Sequence, residues 1–496
     1  MSAFNDLNGI PASANELLLS TILRDEWDFN GVVVSDWNSV GELVIHGFAA
    51  NLKEAAKRAF LAGVDLDMAS DAYYHNLADL VEEGFIPEAR VDEAVRRILR
   101  LKYALGLFDN AQTDPSGARV ALLKPEYRET ALEVATQSMV LLKNEGNLLP
   151  LDKAKVKRLA LIGPLADDHH EIMGSWSWTG NANDSETILE GLQQVLPAEV
   201  MITPVSGCDL LGETEPNFDE AIAAAQEADV ALLVIGEAQG LSGEAHNRTN
   251  LGLPGHQQAL LEAIYATGTP VVVVLISGRP LVIPWMAENI PAILLAWQGG
   301  IRTGRAVADL LMGNANPSGK LTATWPRSVG QIPIYYYHKN TGRPASGPGT
   351  KQFDNPFVSN YLDEKNSPQF PFGFGLSYTI FEYSDLEVVT PRVSLDSHLE
   401  VRATVTNTGE LAGDEIVQLY VRDLVGEVTR PIKELKGFQK ISLNAGESQM
   451  VHFEIPIESL GFHGIDMQYK VAPGDFKVWV GPNAVEGLEG EFSVTS

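Results

Sequence analysis

Two carboxylates stand where a carboxylate can do chemistry. Asp36 follows the run Gly31–Val34 in NGVVVSDWNSV. That run reads as a buried parallel strand, and an acid at its C-terminal end lies on the face where (β/α) barrels carry their reactive groups. The bland reading is an Asp that caps or salt-bridges the next helix. Glu244 sits in the loop after a second buried strand, ADVALLVIGEA, which ends at Glu237. Its neighbours include His246 and Arg248. Ligands of open α/β sheets bind outside the carboxyl ends of the strands, so this loop is either a site or an exposed polar connection. If both carboxylates act, one attacks an anomeric carbon and the other protonates the leaving oxygen. A retaining arrangement holds such a pair about 5–5.5 Å apart.

Other side chains fit around that chemistry or have simpler uses. Trp37, beside Asp36, is a core residue or a platform for the apolar face of a sugar. Asp65 and Asp67 in GVDLDMA share a period of two, so they face one way, toward a barrel mouth or a polar layer. Trp176 and Trp178 in MGSWSWTG follow a polar turn. Packing is the default for them, and stacking on sugar rings is the alternative. His169 and His170 lack a third ligand at sensible spacing, so no metal is expected. No GxGxxG follows the first strand and there is no Walker sequence, so no nucleotide cofactor is expected either.

Composition narrows the partners. The 496 residues carry 36 Lys and Arg against 65 Asp and Glu, a formal charge of −29. Such a surface repels nucleic acid and anionic membranes, and it leaves a neutral substrate unaffected. The single cysteine, Cys208, excludes an intrachain disulfide and a cysteine metal cluster. No apolar run approaches the roughly 20 residues that cross a bilayer. MSAFNDLNGIP has no basic start followed by an apolar core, so it does not read as a signal peptide.

The elements that must position these residues change character along the chain. Residues 1–108 alternate strand and helix, with a strand stub at MSAFN, a helix from SANELLLSTILRDEW capped by Ser13, and a long amphipathic helix from PEARVDEAVRRILRLKYALGLF with Pro87 at its start. This predicts the C-terminal portion of a (β/α) barrel, because so few strands cannot close one. Residues 109–127 read as a polar linker. Residues 128–325 alternate branched apolar strands with helices, the pattern of an α/β/α sandwich covered on both faces. Residues 326–383, rich in Pro, Gly and aromatics, read as an interdomain wrap. Residues 384–496 shift to period two between turns, which predicts a small β-sandwich.

The stretches SAFNDLNGIP, GVVVSDW, MVLLKNEGNLLPL, IGPLAD, NPSGKLTATWPRSVGQIPIYYYHKNTGRP, FPFGFGLSYT and ELKGFQKI occur in this order along the whole chain. Together they resemble family 3 glycoside hydrolases, most closely the β-glucosidases of bacterial periplasmic type. The resemblance implies a multidomain α/β plus all-β fold: a partial (β/α)8 barrel, an α/β/α sandwich and a fibronectin type III-like domain. It implies a retaining double displacement on β-D-glucosyl residues, with a β-xylosidase or a non-catalytic carbohydrate-binding remnant as alternatives. By the same resemblance Asp36 is the nucleophile and Glu244 the acid/base, with Glu237 second in line for that role. Trp37, Trp176, Met68 and Arg248 fall to the substrate-binding set. Arg302 and Thr303 in AWQGGIRTGRA depart from the family's usual Gly-Thr-Glu-Gly-Gly-like run. The resemblance further implies a chain that lacks the N-terminal part of the barrel domain. The partners then expected are an oligosaccharide or β-glucoside substrate and either a homo-oligomer or a complementing N-terminal barrel segment. Full-length relatives are often periplasmic or secreted.

Overall fold

The computed structural model describes residues 1–345 and 357–495. Part of the expected wrap, residues 346–356, therefore lies outside the described residues. The chain divides into two compact units, Met1–Leu122 and Leu123–Ser496.

The first unit is a partial barrel. Its longer helices are α1 (Leu17–Glu26, wound as a π-helix), α2 (Leu52–Ala62), α3 (Ala72–Glu82) and α4 (Glu88–Ala104). The strands expected through residues 31–37 and 63–69 are short and curled, and they meet in one parallel bridge, Val34 to Leu66. The Asp65 amide donates to the Val33 carbonyl (2.8 Å), and the Ser35 amide to that of Leu66 (2.9 Å). The Ser2 amide donates to the Val34 carbonyl (2.9 Å), which places the N-terminal segment beside them. Asn51 starts α2 by accepting from the Glu54 amide (3.0 Å). The helix then buries Ala55, Ala56, Ala59, Phe60 and Ala62 over Val33 and Val64. Small residues on that face let helix and strands approach closely.

Some local expectations change. Ser13 does not cap α1. Its hydroxyl is buried between those of Ser2 and Ser39, 2.8 Å from each, while Asn15 accepts from the Leu18 amide at the helix start. No strand forms at MSAFN; Asp6–Leu7 instead pairs with Ile10–Pro11. The stretch read as a polar linker contains a helix, Pro115–Ala121.

The second unit holds a six-stranded sheet: β1 (Val140–Asn144), β2 (Arg158–Ile162), β3 (Met201–Val205), β4 (Val230–Gly236), β5 (Val271–Ile276) and β6 (Ala292–Leu295). Their order is β1-β6-β5-β4-β2-β3, parallel except for β1 at the edge. Every residue of β4 and β5 is buried. Leu232 and Val234 pack into the core on one face, and Ala231, Leu233 and Ile235 into the core on the other. Helices cover both faces, so the run is apolar without alternation. Each such Val, Leu or Ile stabilises the unit by about 1.5–3 kcal/mol.

The C-terminal region is a β-sandwich built from β7 (Phe381–Val388), β8 (Arg392–Ser394), β9 (His398–Asn407), β10 (Gly413–Asp423), β11 (Glu434–Leu443), β12 (Ser448–Pro456), β13 (Gly474–Gly481) and β14 (Leu488–Thr495). One sheet runs β8-β14-β13-β10-β11 and the other β12-β9-β7. In β9 every second residue, Leu399, Val401, Ala403 and Val405, enters the core. The period of two in the sequence is this inward face.

Candidate active site

In the first unit, Asp36 lies just past the parallel bridge, where the chain turns away from the sheet. Its carboxylate is half-buried, and Oδ1 accepts from the Trp37 amide at 2.7 Å. Among the described residues of its unit no cation pairs with it. Ser35, fully buried, fixes the turn: its Oγ accepts from the Met68 amide (2.8 Å) and donates to the Asp36 carbonyl (2.9 Å). Trp37 is 68% exposed, so it is not a core residue. Met68 is half-buried, and its carbonyl holds the Asn38 amide (2.8 Å). Asn38, Ala69 and Asp71 all have positive φ (59°, 66° and 58°), so backbone strain gathers at this end of the strands.

Asp65 and Asp67 are structural. Asp65 is buried and takes Arg24 of α1 (2.7 Å) and Arg97 of α4 (2.9 Å), while its Oδ2 also accepts from the Val33 amide (2.8 Å). Burial lowers the pKa of Arg24, and the Asp65 charge opposes that. Asp67 accepts from the Ser70 hydroxyl and the Tyr73 amide at the start of α3.

In the second unit, Glu244 and the two tryptophans come together. A cleft of about 320 Å³ is lined by Ser175, Trp176, Trp178, Ser242, Glu244 and His246. Glu244 is exposed, and Trp176 and Trp178 are 71% and 89% exposed. Gly243 has φ +119°, and a Cβ there would meet the Ser175 side chain at 3.2 Å, so the two loops pack closely. The sequence reading names Trp176 and Trp178 together and His246 beside Glu244; it does not show that all of them line one cleft.

Glu237 does not share that exposure. It is fully buried, with its carboxylate on Arg248 and Arg279 and with Ser277 Oγ 2.8 Å from Oε2. A carboxylate so enclosed has no path to a glycosidic oxygen, which removes it as a second acid/base. Arg248, expected among the substrate-binding residues, is corrected for the same reason. Its guanidinium is spent on Glu237 and on the Gly252 carbonyl (3.1 Å), because a buried acid needs a cation. Gly236 makes the turn into Glu237 with φ +149°, and a Cβ there would sit 1.8 Å from the Ile276 carbonyl oxygen. Arg302 pairs with Glu186, as does Arg128, so the departure in AWQGGIRTGRA is absorbed locally. Cys208 is buried, which pushes its thiol up to about 11.

Three family models match the chain. The glycosyl hydrolase family 3 N-terminal domain covers residues 1–101, its C-terminal domain residues 139–378, and a fibronectin type III-like domain residues 415–484. A periplasmic beta-glucosidase of Salmonella typhimurium is 40% identical over 523 residues, covering 100% of this chain and 67% of that protein. The chain belongs to glycosyl hydrolase family 3. A beta-xylosidase of Formosa agariphila is 41% identical over 499 residues, covering 98% of this chain and 67% of that one. The crystal structure of a beta-glucosidase from Listeria innocua in complex with glucose superposes with a TM-score of 0.93 at 38% identity, covering 100% of this chain and 67% of that chain. This family 3 chain thus spans about two thirds of the length of those relatives.

The match to the N-terminal domain model begins at residue 1 and overturns the expectation that the N-terminal part of the barrel domain is lacking. That expectation rested on the resemblance. Membership makes the chain a glycoside hydrolase, which breaks O-glycosyl bonds. Among the described residues no helix is long and apolar enough to cross a membrane.

Proposed function

We propose that Asp36 and Glu244 carry the two catalytic roles of a retaining β-glucosidase. Asp36 attacks the anomeric carbon of a terminal β-D-glucosyl residue while Glu244 gives its proton to the departing oxygen. The resulting ester of Asp36 is then cleaved by water. Glu244 takes the proton of that water, its oxygen joins C1, and the Asp36 carboxylate is released. Trp37 and Met68 line the glycone side in this reading, and Trp176 the aglycone side.

The observation that carries it is the state of Asp36: an acid at the end of a parallel strand segment, beside an exposed tryptophan, with no cation of its own unit spent on it. An acid kept for structure looks like Asp65, which holds two arginines. The test is hydrolysis of an aryl β-glucoside by the full chain and by Asp36→Asn, with the first-formed anomer read by NMR. Retention, and a loss above about 10³-fold in the variant, are expected. Inversion, or a variant within tenfold of the parent, would end the reading. An aryl β-xyloside belongs in the same panel, because a 41%-identical relative is a beta-xylosidase.

We further propose a macromolecular partner for the first unit. Leu17, Leu99, Leu101 and Phe108 are 46–60% exposed there, apolar side chains that a second copy of the chain would cover. Light scattering on the purified chain tests it; a monomer at all concentrations would refute it.

A further inference from the structure

We propose that Glu237 is a positioning residue for the reaction, acting through Arg248 and Arg279 on the loop that presents Glu244; this rests on the acid/base assignment of Glu244. Glu237 is itself fixed, since its amide donates to the Ile276 carbonyl at the end of β5 (2.8 Å). Its carboxylate is fully buried; it accepts a hydrogen bond from Arg248 and ion-pairs, without a hydrogen bond, with Arg279 Nε at 3.4 Å, the two side chains being only 15% and 20% exposed. One cation would neutralise the charge. The second makes sense through what both arginines do with their remaining N–H groups.

Arg248 donates to the Gly252 carbonyl (3.1 Å). Arg279 donates to the Leu241 carbonyl and to that of His246 (2.8 Å). Those three carbonyls bracket Glu244 on both sides. Between them the loop has little packing of its own, since residues 243–247 are exposed. It is also bent against its preferences at Ala245, a residue with a Cβ held at positive φ (60°) beside Glu244. A conformation of that kind persists only when its surroundings hold it. The planar, always charged fork of arginine suits such a tie. One edge faces the carboxylate while other N–H groups reach main-chain carbonyls. Glu237 anchors both forks to the rigid end of the sheet, and the forks hold the loop.

The test compares Glu237→Gln and Arg279→Gln with the parent chain. Hydrogen exchange reads the ties without turnover. Amides of residues 241–250 are expected to exchange at least about tenfold faster, with those of β4 and β5 unchanged. Kinetics reads the consequence. A 2,4-dinitrophenyl β-glucoside leaves without a proton, whereas an alkyl β-glucoside needs one. A misplaced acid should therefore cost the alkyl substrate about 10–100-fold in kcat/KM and the activated one far less. Glu244→Gln is run beside them, and Glu237→Asp should recover part of the loss. A loss equal for both substrates, or unchanged exchange in the loop, overturns the proposal. A leaving-group effect in Glu244→Gln but not in the Glu237 and Arg279 variants defeats the positioning role alone. Its absence in Glu244→Gln defeats the acid/base assignment, and the positioning role with it. Should Glu237→Gln fail to fold, Arg279→Gln decides, because it leaves the Arg248 pair over Glu237 in place.

Discussion

Replacing Asp65 by Asn should unfold the first unit far more readily while touching no reacting group. Asp65 is 3% exposed in its side chain, and its partners Arg24 and Arg97 are 11% and 12% exposed. The carboxylate is therefore shared by two guanidiniums that water scarcely reaches, one from α1 and one from α4. Glu93 also pairs with Arg97, but at 40% exposure it is well screened and offsets little. With Asn in place the Val33 amide still finds an acceptor, while Arg24 and Arg97 face each other with only the more exposed Glu93 as counter-charge. Breaking a buried pair in this way costs about 3–5 kcal/mol. For a unit of this size that lowers the midpoint of thermal unfolding by roughly 10–20 °C. Differential scanning calorimetry of the full chain, with Arg97→Met as a companion variant, measures it. The double variant should lose less than the two single losses together, because Arg97→Met removes one of the two charges that Asp65→Asn strands, while Arg97→Met alone leaves Asp65 paired with Arg24. A loss below about 1 kcal/mol for Asp65→Asn would refute the reasoning, since only a solvated network is worth so little.

Other expectations follow from single residues. Gly236→Ala should cost about 3 kcal/mol or more, because a Cβ 1.8 Å from the Ile276 carbonyl forces β4 off β5; urea denaturation measures it. Cys208 should resist iodoacetamide at pH 8 in the folded chain and react in urea, since burial holds its thiol near 11; mass spectrometry counts the adduct. Lys433 lies over the Trp479 ring (4.4 Å) and donates to the Ala484 carbonyl, and burial pushes it down to about 8. The unfolded chain then binds more protons than the folded one between about pH 8 and 10. Stability from this group accordingly rises through that window, and the difference between parent and Lys433→Met in urea midpoint should grow with pH across it. A flat difference would show that the ammonium is solvated.

The fold class was legible because burial leaves a period. β4 and β5 read as unbroken apolar runs since cores lie on both of their faces, and β9 alternates since only one face is covered. The strand carrying Asp36 was harder to read. Its residues looked like a full strand, yet they make a single bridge, because pairing depends on neighbours distant in the chain. The candidate acids could be picked from the sequence, and their partners could not. Asp36 stands at a strand end and Glu244 in the loop after one, positions that a sequence marks. Nothing local said that Arg248 turns inward, or that Arg279 meets the same buried carboxylate. One signal was available: an acid that ends a wholly apolar strand must find a cation, so Glu237 called for one before any geometry was known. Asp65 gave the same signal, with two arginines on helices that flank its strand. Trp176 and Trp178 could not be sorted between stacking and packing, because a loop tryptophan carries no mark that separates the two.

The most direct measurement of the central claim is covalent trapping. A 2-deoxy-2-fluoro aryl β-glucoside slows both steps of a double displacement and lets the glycosyl-enzyme accumulate. Incubated with the full chain and digested, it should leave one fluoroglucosyl unit on the peptide that carries Asp36, and none in Asp36→Asn. The label on another acid, or turnover of a β-glucoside with no covalent adduct formed, would contradict the account.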